Sequence, residues 1–371
     1  MSRILVALSG GVDSAVAAHL LQQQGHEIHA AYIRTWMNEE HGKLLGNCPW
    51  EDDIAHATAV ATHLRIPFHT LNLIEDYRRH IVQYLVDGYR HGATPNPDIM
   101  CNREMKFGRF LRHALEHGYD AIATGHYARR QDDPDGTPAI HLAQDPGKDQ
   151  TYFLALLDPA QIQHAHFPLG QMTKAQVRAH ARRHAFPNAT RKDSQGICFL
   201  GKVNINEFLA HYIPDNPGPI QDNDTGKILG RHRGLHHHTI GQRKGIGIPS
   251  NRDHRHYVVV AKNPASNTLH IALETPAHPQ LHTTTASIRD IIWQTPAPPG
   301  TPVDLHVRVR HRDAPTPARL IPNPAGTHTA HIHFQHPQRG IAPGQILALY
   351  DGTRLLGGGI FCLKPAGDDN G

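Results

Sequence analysis

Arg3-Ile4-Leu5-Val6-Ala7-Leu8 runs straight into Ser9-Gly10-Gly11-Val12-Asp13-Ser14, then into a helical pattern from Ala15 to Gln24 that Gly25 closes. A buried strand, a glycine turn and a helix in that order point to an α/β fold in which the helix returns over a parallel sheet. The same order makes an anion site. Gly10 and Gly11 permit dihedrals and a close approach that side chains forbid. Free N–H groups at the helix start, with the Ser9 and Ser14 hydroxyls, point at a ligand. Asp13 suits the first helical turn, or a Mg2+ ion beside a phosphate. A bare Gly-Gly turn can equally be no more than a tight connection.

Strand and helix continue to alternate up to Gly125. Strands are expected at Ile28–Ile33, Phe68–Leu73 and Asp120–Thr124, and helices at Glu51–Leu64 and Glu75–Tyr89. Arg34–Cys48 has no clear period and reads as a long loop. In Thr94-Pro95-Asn96-Pro97-Asp98, two prolines one residue apart exclude a helix, so a new helix is expected to open at Cys101 with Asn102 as its cap. A helix start beside Arg103 and Lys106 favours a thiolate; the alternative is a buried free cysteine. Gly125 and His126 close the Asp120–Thr124 strand at the sheet edge where α/β folds take ligands. Arg129 to Leu142 reads as a hairpin with Asp135-Gly136 at its tip. Lys148-Asp149-Gln150 opens an apolar segment, as a plain helix start or a contact to phosphate or base. Thr173 caps a helix to His184, and Cys198 sits beside Gly196 with Arg191 and Lys192 adjacent.

From Val203 prolines accumulate and helices are expected to stop. Gly241-Gln242-Arg243-Lys244-Gly245-Ile246-Gly247 is either a tight hairpin loop or a backbone grip on RNA phosphate. In the rest of the chain, strand-like runs at 270–273, 286–293, 303–309, 330–334, 346–350 and 357–363 suggest a small antiparallel barrel. Arg308, Arg310 and Arg312 alternate, which places them on one strand face, solvated or facing an RNA backbone. Gln345, after Pro343-Gly344, is placed to meet a base edge.

The chain has 371 residues, a net charge of +4, 33 histidines and four cysteines. No apolar run approaches the ~18 residues of a membrane span, and Met1 leads directly into the first strand, so a cytoplasmic protein without a leader is expected. The charge permits an RNA partner without requiring one. The histidines read as surface drift that would make the protein cationic on mild acidification. Cys48, Cys101, Cys198 and Cys362 form no C-x-x-C and no zinc spacing, so no metal site is expected.

SGGVDS resembles the PP-loop of ATP pyrophosphatases. Together with PNPDIMCNREMKFG, ATGHY, KDQTYFL, KDSQGICFLG and HTIGQRKGIGI, it matches in order and spacing the tRNA-specific 2-thiouridylases, from Ile4 to about Cys362. The resemblance implies a PP-loop domain with a doubly wound parallel sheet over 1–202, a small central tRNA-contacting domain over 203–275 and a C-terminal antiparallel β-barrel over 276–371. It implies ATP-dependent thiolation of the wobble uridine of tRNA, with Lys, Glu and Gln acceptors, ATP and Mg2+, and a persulfide sulfur-carrier protein as partner. Ala7, Leu8, Ser9, Gly10, Gly11, Val12, Asp13, Ser14, Ile33 and Gly125 would line the ATP site. Asn96, Pro97 and Asp98 would meet the target base, Asp98 also as a base or orienting group. His126, Lys148, Asp149, Gln150, Arg310, His311 and Gln345 would contact tRNA. Cys198 would carry the persulfide and Cys101 would attack it, leaving a transient Cys101–Cys198 disulfide. The family commonly has Arg-Tyr where this chain has Arg310-His311. Three other readings are an ATP-dependent amide ligase, which needs no cysteine pair, a non-catalytic RNA-binding protein, and a His-rich metal-binding protein, against which stands the lack of ligand spacing among the histidines.

Overall fold

The computed structural model describes residues 1–35, 50–192, 205–249, 255–275, 278–295, 299–324 and 326–362. The N-terminal part builds on β1 (Arg3–Ala7), β2 (Glu27–Arg34), β3 (Phe68–Asn72), β4 (Ala121–Ala123), a hairpin of β5 (Arg129–Asp132) and β6 (Pro138–His141), and β7 (Ala165–His166). Its sheet runs β3-β2-β1-β4-β7, with every pair parallel. Leu5 faces one core while Ile4 and Val6 face the other. Burial on both sides is why β1 reads as an unbroken apolar run. Helices α1 (Val12–Gln23) and α2 (Trp50–Leu64) cover the Ile4–Val6 face. The segments Ile74–Tyr77, Arg78–Val82 and Gln83–Arg90, with Pro97–Met100, Cys101–Phe110 and Leu111–Glu116, cover the other. The chain leaves β1 toward β2 on one side and comes back to β4 on the other. The crevice at the carboxyl ends of β1 and β4 is therefore the point where ligands bind in such sheets.

A helix, Ile205–Ala210, lies past the point where helices were expected to stop, and its Phe208 and Leu209 are buried in the N-terminal core. The central part then packs β8 (Gly218–Asp222), β9 (Ile228–His232), β10 (Tyr257–Asn263) and β11 (Thr268–Leu273) in the order β10-β11-β8-β9 around Ile220, Val259 and Ile271, so the 270–273 run expected in the barrel belongs to this sheet instead, where it pairs with β10 and β8.

The C-terminal barrel comprises β12 (His282–Trp293), β13 (Val303–Arg308), β14 (Thr316–Asn323), β15 (Gly326–Arg339), β16 (Ile346–Asp351) and β17 (Arg354–Phe361). The strands pair in the order β12-β15-β14-β13-β16-β17, and β12 pairs with β17 to close the ring. Strand β14 escaped the sequence pattern because it carries Pro317 and Pro322; the pairing shifts register beside Pro322, where a missing N–H is tolerated. The expected β5–β6 hairpin forms, but it leaves the N-terminal body: Ile140 and His141 pair with Leu355 and Arg354 of β17. A second clasp is buried. Asp149 and Arg308, 4% and 9% exposed, form an ion pair between the N-terminal part and the barrel, and the Arg308 guanidinium lies 5.1 Å from the Tyr350 ring centre. Among the described residues, no helix is long and apolar enough to cross a membrane.

Candidate active site

Helix α1 begins at Val12 rather than Ala15, with Gly11 as its N-cap, so Val12, Asp13 and Ser14 occupy its first turn. Ser14 Oγ accepts the Ser9 N–H at 3.2 Å, donates to Gly11 O at 3.2 Å and lies 3.3 Å from Ser9 Oγ. The loop is thus folded on itself. Gly10 has φ +76°, and a Cβ there would stand 2.5 Å from Asp53 O. Asn188 Nδ2 donates to Gly10 O at 2.9 Å. Gly125, just past β4, lies so close to α1 that a Cβ would stand 2.8 Å from Ser14 N. The loop and Gly125 therefore share one crevice at the switch point. Leu8 and Val12 are buried beneath it, while Ala7 and Ile33 pack against the core of the opposite face.

The charges around this loop come from residues distant in sequence. Lys174 Nζ lies 2.8 Å from both oxygens of Asp13, and Tyr127 Oη donates to the same carboxylate at 2.9 Å. Lys174 is held there because Thr173 and Gln176 form a capping box at its helix start. Arg191 pairs with Asp53 of α2, beside Gly10. The Thr173 cap was legible in the sequence; the Asp13–Lys174–Tyr127 cluster and Asn188 were not, since nothing local marks a partner so far along the chain. The Asp13 carboxylate is thus held by a lysine and a phenol.

The second centre is Cys101. The helix starts at Pro97, not at Cys101: Asn96 Oδ1 accepts the Ile99 N–H at 3.2 Å and Pro97 takes the first position. Proline belongs there, because that N–H has no helical partner anyway. The Cys101 N–H donates to Pro97 O and Asp98 O, so the thiol sits inside the helix and the helix-start reason for thiol acidity does not apply. Cys101 is 6% exposed and lies in the apolar core; Asp98, in the first turn, is half-buried. Cys198 and Cys48 lie outside the described residues. Cys362 is half-buried, and burial pushes its thiol pKa up.

Between the two centres runs a contact chain. Tyr127, whose Oη holds Asp13, donates its N–H to Gln150 Oε1 at 2.9 Å. Gln150 leads into the turn Thr151–Leu154, where Phe153 O accepts from Asn102 Nδ2 at 3.1 Å, next to Cys101. The His311 ring packs on the Phe153 ring, centres 4.4 Å apart. Its pKa is lowered by burial and by Arg312. Three parts of the protein meet beside Asn96. Gln345 Nε2 donates to Thr94 O at 2.6 Å, the Thr94 N–H donates to Pro343 O at 2.7 Å, and the Thr94 and Thr239 hydroxyls lie 3.3 Å apart.

Several polar residues are spent on the protein itself. Asp149 accepts from Ala143 N at 2.9 Å and Thr151 Oγ1 at 2.8 Å as well as pairing with Arg308. Arg310 donates to Arg339 O and Gly340 O at 2.6 and 2.9 Å. Strand β13 ends at Arg308 and Arg312 has φ +79°, so the three arginines do not share a strand face. Lys148 is half-buried. His126 is 8% exposed, packs between Phe107 and Phe167, and bonds Thr124 Oγ1 through Nδ1 at 2.7 Å. Burial holds its pKa well below the usual imidazole range. Nor are the histidines all surface drift. Desolvation holds His166, His236 and His238 at about 4, so mild acidification charges fewer of them than the composition suggests.

Comparison with known proteins places these features in one family. The family model described as tRNA methyl transferase HUP domain matches residues 2–202, the tRNA methyl transferase PRC-barrel domain 206–273, and the aminomethyltransferase beta-barrel domain 283–361. A tRNA-specific 2-thiouridylase MnmA of Akkermansia muciniphila is 48% identical over 361 residues, 97% of this chain and 99% of that protein. A protein of the same name from Halorhodospira halophila is 44% identical over 363 residues, 97% and 93% of the two chains. One from Pseudomonas fluorescens is 39% identical over 366 residues, 98% and 96%. With a glycine-serine loop at the sheet's switch point and likeness running along the whole chain, this protein belongs to the tRNA-specific 2-thiouridylase family.

Proposed function

We propose that this protein is an ATP-dependent tRNA-uridine 2-sulfurtransferase acting on the wobble position. The observation that carries the reading is the contact chain from the Ser9–Ser14 loop through Tyr127, Gln150 and Phe153 to the helix holding Cys101, which couples a phosphate cradle to a thiol. The relatives' names speak of thiolation along the full chain, whereas "methyl transferase" enters only through the domain descriptions. Uridine O2 is a poor leaving group. In the proposed sequence it attacks the α-phosphate of ATP, and pyrophosphate departs toward the α1 N-terminus, whose N–H groups favour negative charge. The terminal sulfur of a Cys198 persulfide then bonds to C2. Cys101 thiolate attacks the Cys198 Sγ, the S–S bond breaks, and AMP leaves with the former O2. The products are thiouridine and a Cys101–Cys198 disulfide, which an external dithiol reduces. A carrier protein supplies the persulfide sulfur, Asp98 orients the base or takes a proton, and Asn96 and Gln345 border the approach. ATP arrives as its Mg2+ complex. Acceptors reading Lys, Glu and Gln codons, and a cytoplasmic setting, go with this reading.

The test is thiouridine formation on unmodified tRNA with ATP and a persulfide donor, read by mercury-gel mobility. Product from the unmodified chain and none from Cys198→Ser or Cys101→Ser supports the assignment. Full product from either variant overturns its role, and absence of ATP-dependent product from the unmodified chain overturns the activity.

A further inference from the structure

Behind the phosphate loop, three imidazoles converge. His19 lies on α1, His180 on the helix Lys174–Arg183, and His184 caps that helix. One ring nitrogen of each lies within 4.8 Å of the others, and all three residues are half-buried, reachable by an ion yet packed. His19 Nδ1 and His180 Nε2 are 2.9 Å apart. The rings of His19 and His184 are 4.5 Å apart, as are those of His180 and His184. The Phe186 ring packs edge-on against His19 and His63, and His63 Nε2 is hydrogen-bonded to His184 O at 2.9 Å, which fixes the end of the helix carrying the cluster.

We propose that His19, His180 and His184 form a binding site for a divalent transition metal of the zinc, nickel or copper class. Neutral imidazoles select these ions over Mg2+ and Ca2+, which take oxygen ligands. Two nitrogens on one tetrahedral zinc at about 2.0–2.1 Å stand roughly 3.3 Å apart, so the His19–His180 contact need open by only a few tenths of an ångström. Three protein ligands leave the fourth position to water. The metal would tie together the two helices that carry Asp13 and Lys174, and so brace the phosphate loop from behind. A second cluster of metal-ligand residues among the described residues, Asp215, His236 and His237, differs in that its carboxylate is already held by Arg233 Nε at 2.8 Å and His237 at 2.9 Å.

The test titrates the full chain, stripped by a chelator, with Zn2+ against a chromophoric competitor. One equivalent bound in the micromolar range or tighter is expected, weakened at least tenfold by His19→Gln and by His180→Asn with unchanged circular dichroism, and unaffected by His236→Asn. X-ray absorption of the zinc-loaded unmodified chain needs no variant and should show three imidazoles and no sulfur. No equivalent of that affinity, loss through His236→Asn, retention in folded His19→Gln and His180→Asn, or a sulfur ligand would each overturn the site.

Discussion

Asp149→Asn separates an RNA-facing carboxylate from an internal clasp. In the structure the Asp149 side chain, 4% exposed, accepts two hydrogen bonds and neutralises Arg308, itself 9% exposed. The amide keeps the shape and one acceptor but removes the charge, leaving a buried guanidinium without its partner. Breaking a buried pair from one side costs about 3–5 kcal/mol. With a urea slope of roughly 2–3 kcal/mol per molar, the unfolding midpoint should fall by about 1–2 M. Intrinsic fluorescence follows the transition in both halves, since Trp50 begins α2 and Trp293 ends β12. Affinity for tRNA, per folded molecule, should change by less than about threefold, well under the 1.4 kcal/mol of a tenfold effect. Adding Arg308→Met should restore most of the stability, because removing both charges relieves the unpaired one. An unchanged midpoint combined with a large loss of tRNA affinity would refute the reasoning and return Asp149 to the RNA surface.

Other expectations follow from the same geometry. Gly125→Ala puts a methyl 2.8 Å from Ser14 N and should weaken ATP binding at least tenfold while sparing tRNA affinity; equal ATP dissociation constants for the two proteins would contradict this. Lys174→Met strips the ammonium from Asp13, whose carboxylate would then repel ATP in the proposed site, so the KM for ATP should rise about tenfold, some 1.4 kcal/mol; an unchanged KM would remove Lys174 from the site. Stability should fall on acidification. His166, His236 and His238 sit at about 4 when folded against an ordinary 6.5, so the unfolded chain binds more protons between those values. Their neutral-state stability is complete above pH 6.5 and is lost as pH drops toward 4. A urea midpoint no lower at pH 5 than at pH 7.5 would count against this burial.

The strand–turn–helix unit was legible from residues 3–25 because its signals are local: a two-sided apolar strand, two glycines and a helix period are all set within a few residues of one another. The β5–β6 hairpin and the Thr173 cap were legible for the same reason. Local rules failed where two of them competed. Pro95 and Pro97 read as a bar to helix, yet Pro97 is the first residue of one, so Cys101 sits inside the helix rather than at its start. The Arg308–Arg312 alternation read as a strand face, but β13 stops at Arg308.

By itself the sequence determined the parallel α/β sheet, the glycine turn on it and the barrel character of the C-terminal part, since periodicity and turn chemistry are written residue by residue. Only the tertiary structure decided which charges meet. Lys174 on Asp13, Arg308 on Asp149 and three histidines behind α1 are contacts between residues far apart along the chain, brought together by how sheet, helices and barrel pack. Burial, too, is a property of packing, and it turns His126 and Asp149 from polar residues of a motif into parts of the protein's interior.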